Sequence, residues 1–179
     1  AASLLHTLLP LSVPKKARRE ERLANMAIYK IQNDENNCST ISWLLVKRPE
    51  EGLLANQWEF PNDVLAADKG VLLDYPGVAA HEKANNRILS SAKISKDDLK
   101  DFVFLDEPLE HVFSHVRHTM HVVHARCVSR EDSSSTIEWT SCGRSYSWMN
   151  VQDMKEVGVT AGVQKVIAAV EQARAQGQE

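Results

Sequence analysis

An α+β fold is predicted for this chain, and three observations carry the prediction. Residues 23–47 place apolar and polar side chains in alternation on either side of Asn33-Asp34-Glu35-Asn36-Asn37, the pattern of a β-hairpin closed by a turn. Two other segments, 78–91 and 160–173, repeat their apolar residues at helical spacing. Between them lie short β-rich runs, 102–105, 109–128 and 137–148, separated by turn-forming residues. At 179 residues the chain suits one domain with a real core plus appendages.

Taken in order, the chain opens at Ala1-Ala2-Ser3 without Met and reads as a processed or excised piece. Leu4, Leu5, Leu8, Leu9 and Leu11 suit a short amphipathic helix, which Pro10 and Pro14 interrupt. No basic residues precede that run, as a secretory signal would require. Pro14 to Glu21 reads as an exposed linker, so residues 1–22 are assigned as a connector and 23–175 as the domain. A first strand is expected over Leu23–Gln32, with Met26 and Ile28 alternating against Ala27 and Tyr29.

The second strand runs into the most informative stretch, Ile41 to Pro61. It saturates with apolar and aromatic residues up to Lys47, stops at Pro49, turns through Glu50-Glu51-Gly52 and restarts at Leu53. Trp58 and Phe60 flank Glu59 and are assigned to the core. Pro61 ends the segment because it has no backbone donor for a ladder. Asn62 to Pro76 is expected to be a loop, with Val71-Leu72-Leu73 its one apolar run.

A helix follows from Val78 to Ser91, its stripe formed by Val78, Ala79, Ala84, Ile88 and Leu89. Ser95 is placed to cap a short turn carrying Asp97 and Asp98, acids that a helix start favours. Leu109–Val128 is read as two strands joined near Arg117-His118-Thr119. Glu131–Thr136 is a turn, and Ile137–Trp148 a strand pair or bent strand kinked at Gly143. Met149–Val157 resembles a short helix. Thr160 is expected to cap a closing helix to about Ala173, with Val163, Val166, Ile167 and Val170 facing inward. The tail from Ala175 is expected to fray.

Composition constrains function loosely. Hydrophobic content of 43% and charged content of 25% are those of an ordinary globular chain. No apolar run approaches membrane-spanning length. Cys38, Cys127 and Cys142 have neither metal-site spacing nor an even disulfide count, and fit a reducing compartment. Charge is uneven: residues 1–30 hold six basic residues (Lys15, Lys16, Arg18, Arg19, Arg22, Lys30) against Glu20 and Glu21, a net +4 that leaves −7 on the rest.

Three ordered motifs carry a resemblance. Arg48-Pro49, Gly52-Leu53-Leu54-Ala55 and Trp58-Glu59-Phe60-Pro61 are similar to the opening motif of the C-terminal, Nudix-like domain of the A/G-specific adenine DNA glycosylases, the MutY family. Phe113-Ser114-His115 resembles the loop with which that domain reads 8-oxoguanine. Thr160-Ala161-Gly162-Val163-Gln164-Lys165-Val166 resembles the start of its final helix. The resemblance spans roughly residues 14–172. It implies a Nudix-like (MutT-like) fold, a curved mixed β-sheet sandwiched by helices, serving base-excision repair of adenine opposite 8-oxoguanine.

The same resemblance divides the labour. Adenine excision, an acidic catalytic residue and a [4Fe–4S] cluster belong to a separate N-terminal domain in that family, so no cofactor is expected in this segment. The cluster cysteines that would end near residues 1–13 are absent, as are the zinc-binding connector cysteines of mammalian members. The implied partners are duplex DNA holding 8-oxoguanine opposite adenine, the catalytic domain and a checkpoint sliding clamp reached through the connector. A nuclear location, with mitochondria as a second site, is the corresponding expectation.

Nudix hydrolases carry Gly-x5-Glu-x7-Arg-Glu-x-x-Glu-Glu on the first helix, because Mg²⁺ on a diphosphate needs several carboxylate oxygens converging from one face. Here Ala80-His81-Glu82-Lys83-Ala84-Asn85-Asn86-Arg87 holds one acid, and Asn62-Asp63 stands where glycines would follow the proline. A divergent Nudix hydrolase with carboxylates from elsewhere is the enzymatic alternative. A clamp-binding interaction module is the other.

Ser114 is the principal candidate for lesion contact. Oxidation at C8 turns guanine N7 into an N–H donor and adds a carbonyl at C8, and a hydroxyl can both accept from and donate to that edge. Phe113 is expected to brace the loop, and His115 to contact phosphate or lock the turn. Lys47, Arg48 and Arg117 are candidates for phosphate contacts, against a competing pairing with Glu50, Glu51 or Glu59. His111, His115 and His121 have one strand parity and His118 and His124 the other, which disfavours a shared metal ion.

Overall fold

The computed structural model describes residues 17–33, 38–67, 77–128 and 138–177. The expected helix in residues 1–13, the turn at 34–37, the run 71–73, the turn at 131–136 and the last two residues of the tail lie outside the described residues.

The framework is a long strand, β1 (Arg19–Asn33), that begins four residues before its predicted start. Arg19-Glu20-Glu21-Arg22, assigned to the connector, is therefore strand; its charges sit on the exposed end, and the buried run begins at Leu23. β1 pairs antiparallel with β2 (Ser39–Lys47), from Tyr29↔Trp43 to Asn33↔Ser39, which is the predicted hairpin. After β3 (Trp58–Glu59) comes β4 (Asn62–Ala67), where a loop was expected. Polar Asn62 and Asp63 hide the strand in the sequence, and pairing with the first half of β1, Asn25↔Asn62 through Glu21↔Ala67, supplies it.

Helix α1 (Val78–Ala92) matches its prediction to within one residue and ends at Lys93 in the left-handed region. Ser95 accepts from the Asp97 amide and caps a single 3-10 turn, as expected. β5 (Leu99–Phe104), β6 (Leu109–Val112) and β7 (Val116–Cys127) follow. The junction between β6 and β7 is Phe113-Ser114-His115; Arg117-His118-Thr119, read as the turn, lies inside β7. All three are polar, but Arg117, His118 and Thr119 pair with Val112, His111 and Glu110 across the hairpin. β8 (Glu138–Ser141) and β9 (Arg144–Met149) form the predicted strand pair around Cys142-Gly143, both with positive φ.

The sheet order is β5-β7-β1-β2-β9-β8. It is mixed: β1 lies parallel to β7, from Arg19↔Val116 to Tyr29↔Arg126, and the other pairings are antiparallel. A parallel pair needs a long crossover, and the chain from β2 through α1 to β6 provides it. α1 covers one face, burying Ala84, Ile88 and Leu89 against Met26, Ile28 and Leu44. α2 (Val151–Glu156) and α3 (Ala161–Gln176) cover the other, where Met154, Val163 and Val166 meet Trp43, Leu45 and Val122. Each fully buried aliphatic side chain stabilises by about 1.5–3 kcal/mol. Trp58 and Phe60 are core residues as predicted, Phe60 edge-on to Trp43 with ring centroids 5.8 Å apart.

α2 is closed by a capping box: Asn150 accepts from the Gln152 and Asp153 amides, and Asp153 accepts from the Asn150 amide. Thr160 stands at the start of α3, but its side chain makes no capping bond. Instead its amide donates to the Trp58 carbonyl at 2.9 Å, tying α3 to β3. No helix among the described residues is long and apolar enough to cross a membrane.

The α3 layer also holds His124, 4% exposed, opposite Tyr29 and near Arg174 and Asp101. Neither of its ring nitrogens has a hydrogen-bond partner among the described residues. Burial holds its pKa below the usual 6.5, Arg174 lowers it further and Asp101 opposes. Such a base binds fewer protons folded than unfolded, so its contribution is full above the unfolded value and is lost as pH falls through the folded one. Stability measured by urea unfolding is therefore expected to decline from pH 6.5 downward. His124→Leu should flatten that limb by up to about 1.4 kcal/mol per pH unit; an unchanged limb would contradict the assignment.

Candidate nucleic-acid interface

The junction between β6 and β7 is a tight two-residue turn. The Phe113 amide donates to the Val116 carbonyl at 2.8 Å, leaving Ser114 and His115 at the tip. Both are exposed. The Ser114 hydroxyl and His115 Nδ1 are 2.6 Å apart. When His115 carries its proton on Nε2, the hydroxyl donates to Nδ1 and its lone pairs face outward as acceptors. Phe113 turns back against the sheet, its ring 4.4 Å from His111 and 5.1 Å from His118, and so braces the turn from below.

Beside the turn, on the α3 side of the sheet, opens a small cleft of about 30 Å³, lined among others by Asn25, Arg48, Glu59, Phe113, His118 and Met120. Its charged wall is organised by one carboxylate. Glu59 accepts from Arg48 Nη1 at 2.6 Å and from Arg144 Nη2 at 3.2 Å. Arg48 Nε also donates to the Leu53 carbonyl at 3.0 Å, which fixes the loop after Pro49. That loop carries positive φ at Gly52, Leu54 and Asn56, the last two strained for residues with a Cβ. His118 Nε2 lies 3.3 Å from Glu21. Burial is the largest influence on His118 and lowers its pKa, with Glu21 acting in the opposite direction.

The residues expected to act together are thus split. Phe113 and Arg48 share the cleft, whereas Ser114 and His115, next in the chain, are exposed on the turn and do not line it. Arg48 is engaged by Glu59, one of the acids named as a competing partner. Lys47 lies with its Nζ 6.0 Å above the Trp58 ring. Arg117 is 41% exposed, with Glu20 at 3.8 Å. Arg144, Glu21 and Asn25 were not anticipated at the site: a lone arginine after a glycine and an acid in a charge run carry no signal of their own. The buried Oδ1 of Asn25 has no hydrogen-bond partner among the described residues.

The histidines do not converge. His118 and His124 lie on the α3 side of the sheet, and His111, which strand parity had grouped with His121, faces His118 across the β6–β7 hairpin, because the two-residue turn resets the parity. His121 instead packs with His81 of α1, ring centroids 5.1 Å apart. No group of three or more metal-ligating side chains occurs among the described residues. α1 carries a single acid, Glu82, which is exposed, and Asp63 pairs with Arg87. Cys127 is buried while Cys38 and Cys142 are exposed, an arrangement that does not fit a four-thiolate iron–sulfur cluster.

A family model for the Nudix domain matches residues 31–169. The chain belongs to the Nudix domain family. Among curated proteins it is similar to adenine DNA glycosylase of Arabidopsis thaliana, 27% identical over 177 residues, covering 84% of this chain and 27% of that protein. The chain therefore spans about a quarter of that relative's length. Among solved structures, the C-terminal domain of mouse MUTYH, crystallised with human PCNA, superposes with a TM-score of 0.56 at 20% identity, covering 87% of this chain and 90% of that one. An Ap4A hydrolase of C. elegans gives 0.56 at 14% identity, covering 87% and 98%. The NUDIX domain of Shewanella oneidensis NrtR, complexed with ADP ribose, gives 0.55 at 11%, covering 88% and 89%. The fold is the expected Nudix-like one, a mixed sheet between helices.

Glu59 holds two guanidinium groups in a half-buried wall, with 15% of its own side chain exposed. Removing a charged acceptor leaves both donors without their anion, at a cost of about 2 kcal/mol. Glu59→Ala is expected to lower the urea midpoint accordingly, with Glu59→Gln intermediate. A change within error for Glu59→Ala would show that the wall is held by packing alone.

Proposed function

We propose that this Nudix domain is the 8-oxoguanine-reading part of an adenine DNA glycosylase and that excision is performed by a separate domain. The observation that carries the reading is the exposed Ser114 hydroxyl, 2.6 Å from His115 Nδ1 on a two-residue turn beside the cleft. A hydroxyl whose proton is given to His115 presents lone pairs to the N7–H of 8-oxoguanine. The N7 of guanine has a lone pair instead and meets repulsion. Mismatching one such contact costs about 1–3 kcal/mol, roughly tenfold to a hundredfold in preference. The similarity to the plant glycosylase supports the assignment, and the motif around Trp58 lies in the core that sets the cleft beside the turn.

In this reading Phe113 is a brace, His115 a positioning residue for the hydroxyl, and Lys47, Arg48 and Arg117 the flanking cations. Arg48 acts chiefly through its bond to Glu59. Duplex DNA with 8-oxoguanine opposite adenine is the ligand, and the site of action is the nucleus. An iron–sulfur cluster would belong to the excising domain. A sliding clamp is the protein partner we assign, after the complex described for the mouse domain.

Ser114→Ala is expected to reduce the preference for an 8-oxoguanine duplex over a guanine duplex by roughly tenfold to a hundredfold. The measurement is equilibrium binding at fixed, stated salt, because phosphate contacts vary steeply with it. Equal preference in wild type and variant would remove Ser114 from recognition.

With one acid on α1, the domain should release no pyrophosphate from 8-oxo-dGTP in the presence of Mg²⁺, and should not excise adenine from an A:8-oxoguanine duplex. Mg²⁺-dependent turnover in the first assay would favour the hydrolase alternative.

A further inference from the structure

The strand that leads into the domain is sewn to the recognition turn. The Arg19 amide donates to the His115 carbonyl at 3.0 Å, and Arg18 Nε lies 3.4 Å from the Ser114 carbonyl. Both tip residues thus hand a backbone oxygen to residues 18 and 19, which the sequence had left to a connector. Parallel pairing then fixes where the charges go. Arg19 pairs with Val116 and Glu20 with Arg117, and paired residues share a face of the sheet. Arg19 has the parity of Leu23 and Asn25, which line the cleft, so it stands on the cleft side of the turn. Arg117 stands on the other side, and Arg18 lies against the tip itself.

These cations retain capacity for an external anion. The Arg19 side chain is 66% exposed; it touches Glu21 through Nη2 at 2.6 Å, and that carboxylate is shared with His118. Arg117 meets Glu20 only at 3.8 Å. Among the described residues no carboxylate lies within ion-pair distance of Arg18. A guanidinium presents five donors in a fixed fork, so one occupied nitrogen leaves the others free to take a phosphate.

We propose that Arg18, Arg19 and Arg117 form a phosphate clamp straddling the turn, with Arg18 and Arg19 contributed by the incoming strand. The clamp grips the nucleic-acid backbone on either side of the base facing Ser114. It rests on the reading of the turn as a nucleic-acid contact, but it supplies affinity and orientation, and the hydroxyl supplies the choice of base.

The test compares the whole chain with its Arg18→Ala, Arg19→Ala and Ser114→Ala forms. Fluorescence anisotropy is recorded on duplexes that differ in one 8-oxoguanine or guanine opposite adenine, over about 50–200 mM KCl. Each arginine variant should lower the slope of log K against log salt by about 0.9 and weaken both duplexes equally, leaving the lesion preference intact. Arg18→Lys and Arg19→Lys should restore the slope, and thermal melting checks that each variant is folded. Slopes unchanged in both alanine variants would overturn the clamp while leaving the role of Ser114 standing. An arginine-dependent slope without lesion preference in wild type would overturn the 8-oxoguanine reading and keep the clamp. No binding to either duplex at about 50 mM KCl would overturn both.

Discussion

The structure depends on one pairing, the parallel ladder between β1 and β7. Both strands are buried on two faces, Leu23–Tyr29 in the first and Met120–Ala125 in the second. Buried backbone amides and carbonyls must find partners, and a central pair of strands satisfies them at the greatest depth. Four strands attach to this pair directly, and β3, β9 and β8 follow from β2. β2 and β4 share the opposite edge of β1, one along each half, while β5 and β6 divide β7 in the same way. The two helical layers then close on a surface already defined.

That arrangement explains why the cleft and turn lie where they do. Where β7 meets β6 the ladder runs out, and the chain reverses through two exposed residues with no glycine. Where β1 parts from β4 and β2, the loop after Pro49 folds down on Arg48, and Glu59 on β3 neutralises the guanidinium groups that reach it. Because Trp58 is bonded through its carbonyl to the Thr160 amide, the start of α3 completes the same wall. Specific polar groups therefore converge on one end of the sheet although they come from distant parts of the chain.

Local patterns reveal local structure. The hairpin, the extent of α1, the start and inward stripe of α3, the Ser95 cap and the core positions of Trp58 and Phe60 all follow from periodicity, turn chemistry or aromatic burial, each a property of neighbours in sequence. By contrast, α3 runs on to Gln176, through Ala175, where a frayed tail was expected. The failures have one physical source. Arg19-Glu20-Glu21-Arg22 reads as solvated linker because what makes it strand is β7, nearly a hundred residues away. β4 was hidden because its polar start is paid back only by pairing with β1. At Ser114-His115 the turn lacks glycine, proline and asparagine, whereas Arg117-His118-Thr119 looked more turn-like and is held extended by the hairpin. At the candidate interface, the ordered motifs pointed to Phe113-Ser114-His115 and Arg48, which lie on the β6–β7 turn and in the cleft beside it. Nothing local announced that Arg144 and Arg48 share one carboxylate, since a tertiary ion pair leaves no periodic trace.

The direction of β1 has a mechanical consequence. Because the strand enters at Arg19 and lies lengthwise between neighbours, tension on the chain ahead of Ala17 loads its hydrogen bonds in shear, many at once, rather than peeling them singly. The first bonds to feel that tension are those to the carbonyls of Ser114 and His115. A pull applied at Ala17 would thus reach that tip before it could loosen the body of the sheet.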